Sequence, residues 1–173
     1  MCWLYHTVSK KKIIESVFSR MSNDSTSKFV ENILIILSNL PAGLRTGIIK
    51  NRLIEFDGFD ESEKKEIVNT VLRNFHKIER AKVLSLFESW LSSLYEMNVS
   101  SIKSIFNSYL LELYLNPNDL EYFDNPFILS LVKVLNDLPK NKRDKLWCCF
   151  MESILNTPDP KTFIKLIPQN YLN

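Results

Sequence analysis

The chain has 173 residues, 45% of them apolar and 24% charged, with a formal net charge of +2. That balance suits one folded domain with its own core and excludes wholesale disorder. Only three glycines occur, Gly43, Gly47 and Gly58, so neither a phosphate-cradling loop nor a dinucleotide fingerprint can be written, and nucleotide-dependent enzymes of those kinds are excluded.

The first stretch, MCWLYHTVSKKK, carries its lysines after a short apolar run, the reverse of a secretory signal. No apolar run approaches the length of a membrane span, so no membrane contact is expected and a cytoplasmic protein is. Residues 1–22 are expected to hold an N-terminal helix, because Ile13, Ile14, Val17, Phe18 and Met21 recur at helical spacing. The stretch SNDSTS then supplies N-cap residues for the next one.

Helices follow at roughly 26–40, 44–56, 61–75, 80–97, 100–115, 126–138 and 142–156, with a C-terminal helix at 160–167. The breaks fall at Pro41, Asp57-Gly58, Asn116-Pro117, Asn125-Pro126, Pro139 and Thr157 to Pro160. The acidic run Glu55 to Glu66 lacks the register of a calcium loop. Asp60 followed by Glu63 instead reads as a capping box. Cys148 and Cys149 are adjacent and ill placed to bridge each other, so both are expected to be buried in a helix.

One phrase recurs: Ile36 to Ile49, Val71 to Leu84 and Val134 to Trp147 each join an apolar helix end, a tight connection and an Arg. The Arg residues are Arg45, Arg80 and Arg143, and in each copy they are expected at the start of the second helix of an αα-hairpin. There they could hydrogen-bond the last carbonyls of the preceding helix. The copies suggest a unit of about thirty-two residues, with a degenerate copy around 99–123.

Self-similarity of this kind predicts an all-α fold, an α-α superhelix of stacked helical hairpins with eight to nine helices in a single domain, residues 1–173. The apolar helix end, short turn and early Arg over residues 26–156 resemble HEAT-like repeats. That resemblance implies a non-enzymatic protein-interaction module, a scaffold or adaptor with a protein partner.

Chemistry is sparsely supplied. The only histidines, His6 and His76, lie in no motif that places a nucleophile or a metal beside them, so no catalytic residue, metal or cofactor is expected. Two basic clusters do stand out: Lys77, Arg80 and Lys82 in one turn, and Lys140, Lys142, Arg143 and Lys145 in another. Stacked onto one edge they would form an anion-contacting rim, and nucleic-acid binding is the alternative function. The helix that ends in the run Ser104 to Leu115 has a full core stripe in Ile102, Ile105, Phe106, Tyr109, Leu110 and Leu113. Leu111, Tyr114 and Leu115 lie beyond it as a candidate homodimer interface, unless residues Leu120 to Phe127 fold back over them.

Overall fold

Asp60 starts its helix as its chemistry demands: its carboxylate accepts the Glu63 amide at 2.9 Å while the Glu63 carboxylate takes the Asp60 amide at 2.9 Å. Asn98 and Asp124 cap their helices by accepting the amides of Ser101 and Phe127, each at 2.9 Å. Pro41 and Pro139 stand at N-cap positions in extended backbone, just before helical geometry begins. The structure, a computed structural model, describes residues 23–116 and 122–169. Its helices are α1 (Asn23–Asn39), α2 (Ala42–Asp57), α3 (Glu61–Asn74), α4 (Arg80–Tyr95), α5 (Val99–Leu115), α6 (Asn125–Asn136), α7 (Lys140–Leu155) and α8 (Pro160–Ile164). A short 3-10 turn, Phe75–Lys77, follows α3. Among the described residues there is no strand, and the fold is the expected stack of helical hairpins. The helix expected within residues 1–22 lies outside the described residues.

The stack has a simple rule. Each helix packs against the one two places further on: α1 on α3, α2 on α4, α3 on α5, α4 on α6 and α5 on α7. Odd and even helices therefore form two rows, tied together by packing of α1 on α4, α2 on α5 and α4 on α7. One continuous core runs between the rows, from Leu34 to Cys149. At the far end α8 lies on α7, where Ile154 and Ile167 close a smaller cluster with Leu110.

The repeating unit is one helix and its turn. Buried or half-buried Leu37, Phe56, Phe75 and Leu94, each nineteen residues after the last, end their helices in the same geometry. In each case the amide three residues on, from Leu40, Phe59, Ile78 or Met97, donates back to that residue's carbonyl at 2.9–3.2 Å. The next residue, Pro41, Asp60, Glu79 or Asn98, is the N-cap of the following helix. Leu135, Leu138 and Pro139 repeat the arrangement after the longer connection between α5 and α6. Leu34, Leu53, Leu72, Leu91 and Leu110 share the same nineteen-residue spacing, and all five are buried. Burying a leucine side chain contributes roughly 1.5–3 kcal/mol, so this column is a principal source of stability.

This unit corrects two expectations. The period is nineteen residues, with pairs of helices at thirty-eight, where about thirty-two was expected. Arg80 is also not the counterpart of Arg45 and Arg143. Those two are the fourth residues of α2 and α7, and their amides bond the carbonyls of Pro41 and Pro139. Val83 does the same with Glu79, whereas Arg80 is the first residue of α4. The middle phrase had slipped by three residues. Such a slip is close to one helical turn, so its apolar positions still seemed to coincide.

Candidate interaction surface

The two basic clusters lie at opposite ends of the helices, on opposite edges of the stack. Lys82 donates to Asn39 at 2.9 Å, and Arg80 reaches Asp124, which joins the α3–α4 connection to those of α1–α2 and α5–α6. Lys145 instead donates to the carbonyls of Tyr95 and Met97, both at 2.8 Å, which joins the α6–α7 connection to that of α4–α5. Between these ends runs α4, whose sixteen residues span about 24 Å. The single rim expected from the sequence therefore does not form, because an odd number of helices separates the two turns.

Most of these cations also hold the stack together. Lys77 pairs with Glu31 at 2.7 Å. Arg80 grips both oxygens of Asp124, at 2.7 and 3.2 Å, and lies over the rings of Tyr122 and Phe127. The hydrogen bond from Arg80 holds the Asp124 carboxyl below its ordinary range, and Asp124 raises the guanidinium in turn. Lys142 and Lys145 both sit over Tyr95. Arg143 reaches Asp144, its neighbour in sequence, and Lys140 is exposed. None of Arg45, Arg80 and Arg143 takes the carbonyls of the preceding helix, the role the sequence suggested. Arg45 is buried and donates its Nε to Ser89 at 2.8 Å.

At the end of α5, Leu111 and Leu115 are exposed and Tyr114 is half-buried. Tyr122, Phe123 and Phe127 do not cover them. Phe123 packs on Phe75, and the Tyr122 hydroxyl donates to the Ile78 carbonyl at 3.2 Å. Of the two helical cysteines only Cys149 is buried, which pushes its thiol up; Cys148 is exposed.

A different apolar surface emerges from the repeat. In the interior, each helix receives the helix two places earlier on one constant face. On α4 and α5 that face includes Leu86 and Ile105, then Trp90 and Tyr109, then Ser93 and Glu112. The covering helices are plain in the hydrogen bonds: Ser93 donates to the Thr46 carbonyl of α2 at 3.0 Å, and Asn69 of α3 donates to Glu112 at 3.0 Å. Burial there pushes the Tyr109 phenol up to about 12. On α3 the same positions are Ile67, Val71 and Asn74, covered by α1.

On α1 these positions are Phe29, Ile33 and Ile36, thirty-eight residues before their α3 counterparts. They are 48%, 36% and 59% exposed. Ile48 of α2, the counterpart of Leu86, is exposed too, as is Leu44 one turn earlier. The second half of that α2 face is charged, where Arg52 pairs with Glu55 at 2.6 Å. No described helix lies two places before α1 or α2, so among the described residues this docking face stays uncovered.

Comparison with protein-family models, curated proteins and solved structures finds no match to this chain. The resemblance to HEAT-like repeats thus has no family model behind it. Among the described residues no helix is long and apolar enough to cross a membrane, and no three His, Cys, Asp or Glu side chains gather as a metal site requires.

The sequence reading passed over Phe29, Ile33 and Ile36. Their four-and-three spacing was visible, but so was that of Val30, Leu34 and Leu37 on the neighbouring face. Only the position of α1 at the end of a row distinguishes the covered stripe from the bare one.

Proposed function

We propose that this chain is a helical-repeat protein-interaction module, a scaffold without catalytic chemistry or cofactor, and that the bare end formed by α1 and α2 is its docking face. The observation that carries the reading is the exposure of Phe29, Ile33 and Ile36 at positions that interior repeats fill with another helix. Three large apolar side chains in one exposed stripe oppose solubility unless something covers them, and such patches mark contact with another polypeptide. Repeat stacks ordinarily close their ends with polar faces. Among the described residues, α8 packs over the far end while α1 and α2 keep exposed apolar side chains. A reducing compartment such as the cytoplasm suits its free, exposed Cys148.

The test compares the native chain with Ile33→Asp and Ile36→Asp as bait in extract of the host. Both positions are exposed, so the variants should keep native helicity and melting. The reading expects the native chain to retain a protein that both variants lose. Identical retention by all three would contradict it.

A further inference from the structure

Arg45 and Lys64 hold the same place in successive repeats, the fourth residue of α2 and of α3, and both are buried. Each also reaches a serine two helices on: Arg45 donates its Nε to Ser89 at 2.8 Å, and Lys64 donates to Ser104 at 3.3 Å. They differ in what answers the charge. Lys64 pairs at 3.2 Å with Glu61, the first residue of its own helix, and Asp60 caps that helix beside it. On α2 those two positions are Ala42 and Pro41. Arg45 is 7% exposed, and among the described residues nothing accepts from its Nη1 or Nη2.

The start of α2 is short of negative charge as well. Pro41 provides no side-chain cap, the first turn holds no acid, and the amides of Ala42, Gly43 and Leu44 bond no carbonyl. Residues 41–44 are exposed, and a Cβ added at Gly43 would meet nothing within 4 Å. Lys82 meets Asn39, Ser89 meets Arg45 and Ser93 meets Thr46, at 2.8–3.0 Å, so one face of α4 runs beside the α1–α2 connection and the first turn of α2. Ser85 lies on that face between Lys82 and Ser89, and its hydroxyl has no partner among the described residues. The only acid within α4, Glu88, is exposed and pairs with neither Arg45 nor Lys82.

We propose that this seam between α2 and α4 binds a phosphate group, free or carried on a monoester, at the place that the carboxylates of Asp60 and Glu61 take on α3. The planar fork of Arg45 matches two oxygens of such an anion. A helix start with unbonded amides favours negative charge, and Lys82 keeps two N–H groups beyond the one given to Asn39. The count of charges selects phosphate over a single carboxylate. On α3 two acids serve the helix start and its cation, whereas α2 has neither, and a phosphate monoester carries nearly two charges at neutral pH. The site is polar and stands apart from the apolar stripe of α1, so its failure would leave the docking reading as it is.

The experiment is a phosphorus NMR titration of the full chain at neutral pH and constant ionic strength, with inorganic phosphate and separately with O-phosphoserine. The proposal expects saturable binding of at least one of them, weakened roughly ten- to a hundredfold in Arg45→Met. Arg45→Lys, which keeps the charge without the fork, should lose less, and Ser85→Ala should also bind more weakly. Lys142→Gln, on the opposite edge of the stack, should bind as the native chain does. Helical circular dichroism in chloride buffer checks that each variant is folded. Binding of inorganic phosphate supports a site for the free anion, and binding of phosphoserine alone supports one for a phosphorylated side chain. No binding of either probe, native affinity in Arg45→Met, or an equal loss in Lys142→Gln overturns the proposal. Acetate that displaces phosphate at equal concentration overturns it too, because the site would then be one for carboxylates.

Discussion

Arg45 on α2 donates its Nε to the Ser89 hydroxyl on α4 at 2.8 Å, with both residues buried between two helices of the same row. A buried guanidinium held by a neutral hydroxyl contributes less than its removal from water costs, unless its remaining donors are also met. Ser89→Ala strips away a partner and leaves the charge behind. It should destabilise by about 1–3 kcal/mol. Arg45→Met removes the charge and keeps most of the apolar stem. It should cost less than Ser89→Ala, or raise stability. Urea unfolding of the two variants decides, and a larger loss in Arg45→Met would show that the charge itself holds α2 to α4.

Leu91 and Ile36 separate the two kinds of apolar position. Leu91 is wholly buried in the leucine column, while Ile36 is 59% exposed on the bare face. Leu91→Ala should cost about 2–5 kcal/mol, the range for large cavities in a packed core. Ile36→Ala should leave the folded single chain nearly unchanged. The check is denaturant midpoint at a concentration low enough to keep the chain monomeric, where equal losses would contradict the end-of-stack placement of α1.

Acid should loosen the ties between connections. The Asp124 carboxyl is held below its ordinary value chiefly by the hydrogen bond from Arg80, and Glu96 and Glu152 are lowered chiefly by Lys50 and Lys103. A carboxyl depressed on folding contributes stability above its unfolded value, near pH 4, and loses it as pH falls through the lower folded value. Melting temperature should therefore drop below about pH 4. Asp124→Asn keeps the cap on α6 and should flatten part of that drop, which thermal scans from pH 7 downward would show.

The separated basic clusters bear on nucleic acid. With Lys77, Arg80 and Lys82 at one end and Lys142 and Lys145 at the other, mostly engaged within the chain, few phosphates could be neutralised together. The chain should leave a heparin column at low salt, and its retention should depend only weakly on salt. Retention that persists to high salt, and falls when Lys140, Lys142 and Lys145 are changed to Glu, would restore the alternative.

Much of the fold was legible because its punctuation is chemical. Pro41, Asp60, Asn98, Pro126 and Pro139 are residues that start helices, and the observed ends lie within three residues of those expected. The repeat was legible as well, in the leucines from Leu34 to Leu110, yet the conspicuous Arg residues aligned the copies one turn out of place. What no local pattern carried was which helices meet. Packing with the helix two places on, through side chains such as Ser93 and Thr46, is a property of the whole stack. That property decides that Phe29 lies bare while Ile67, in the same repeat position, is covered.

The central claim is that the bare end of α1 and α2 is where another polypeptide sits. It is tested most directly by placing the photoreactive residue benzoylphenylalanine at position 29, in place of Phe29, in the intact chain within its host. Irradiation should yield a covalent adduct of the chain with another polypeptide, and the same probe in place of Glu88, an exposed residue on the middle helix α4, should yield none. No adduct from position 29, or equal adducts from both positions, would contradict the account.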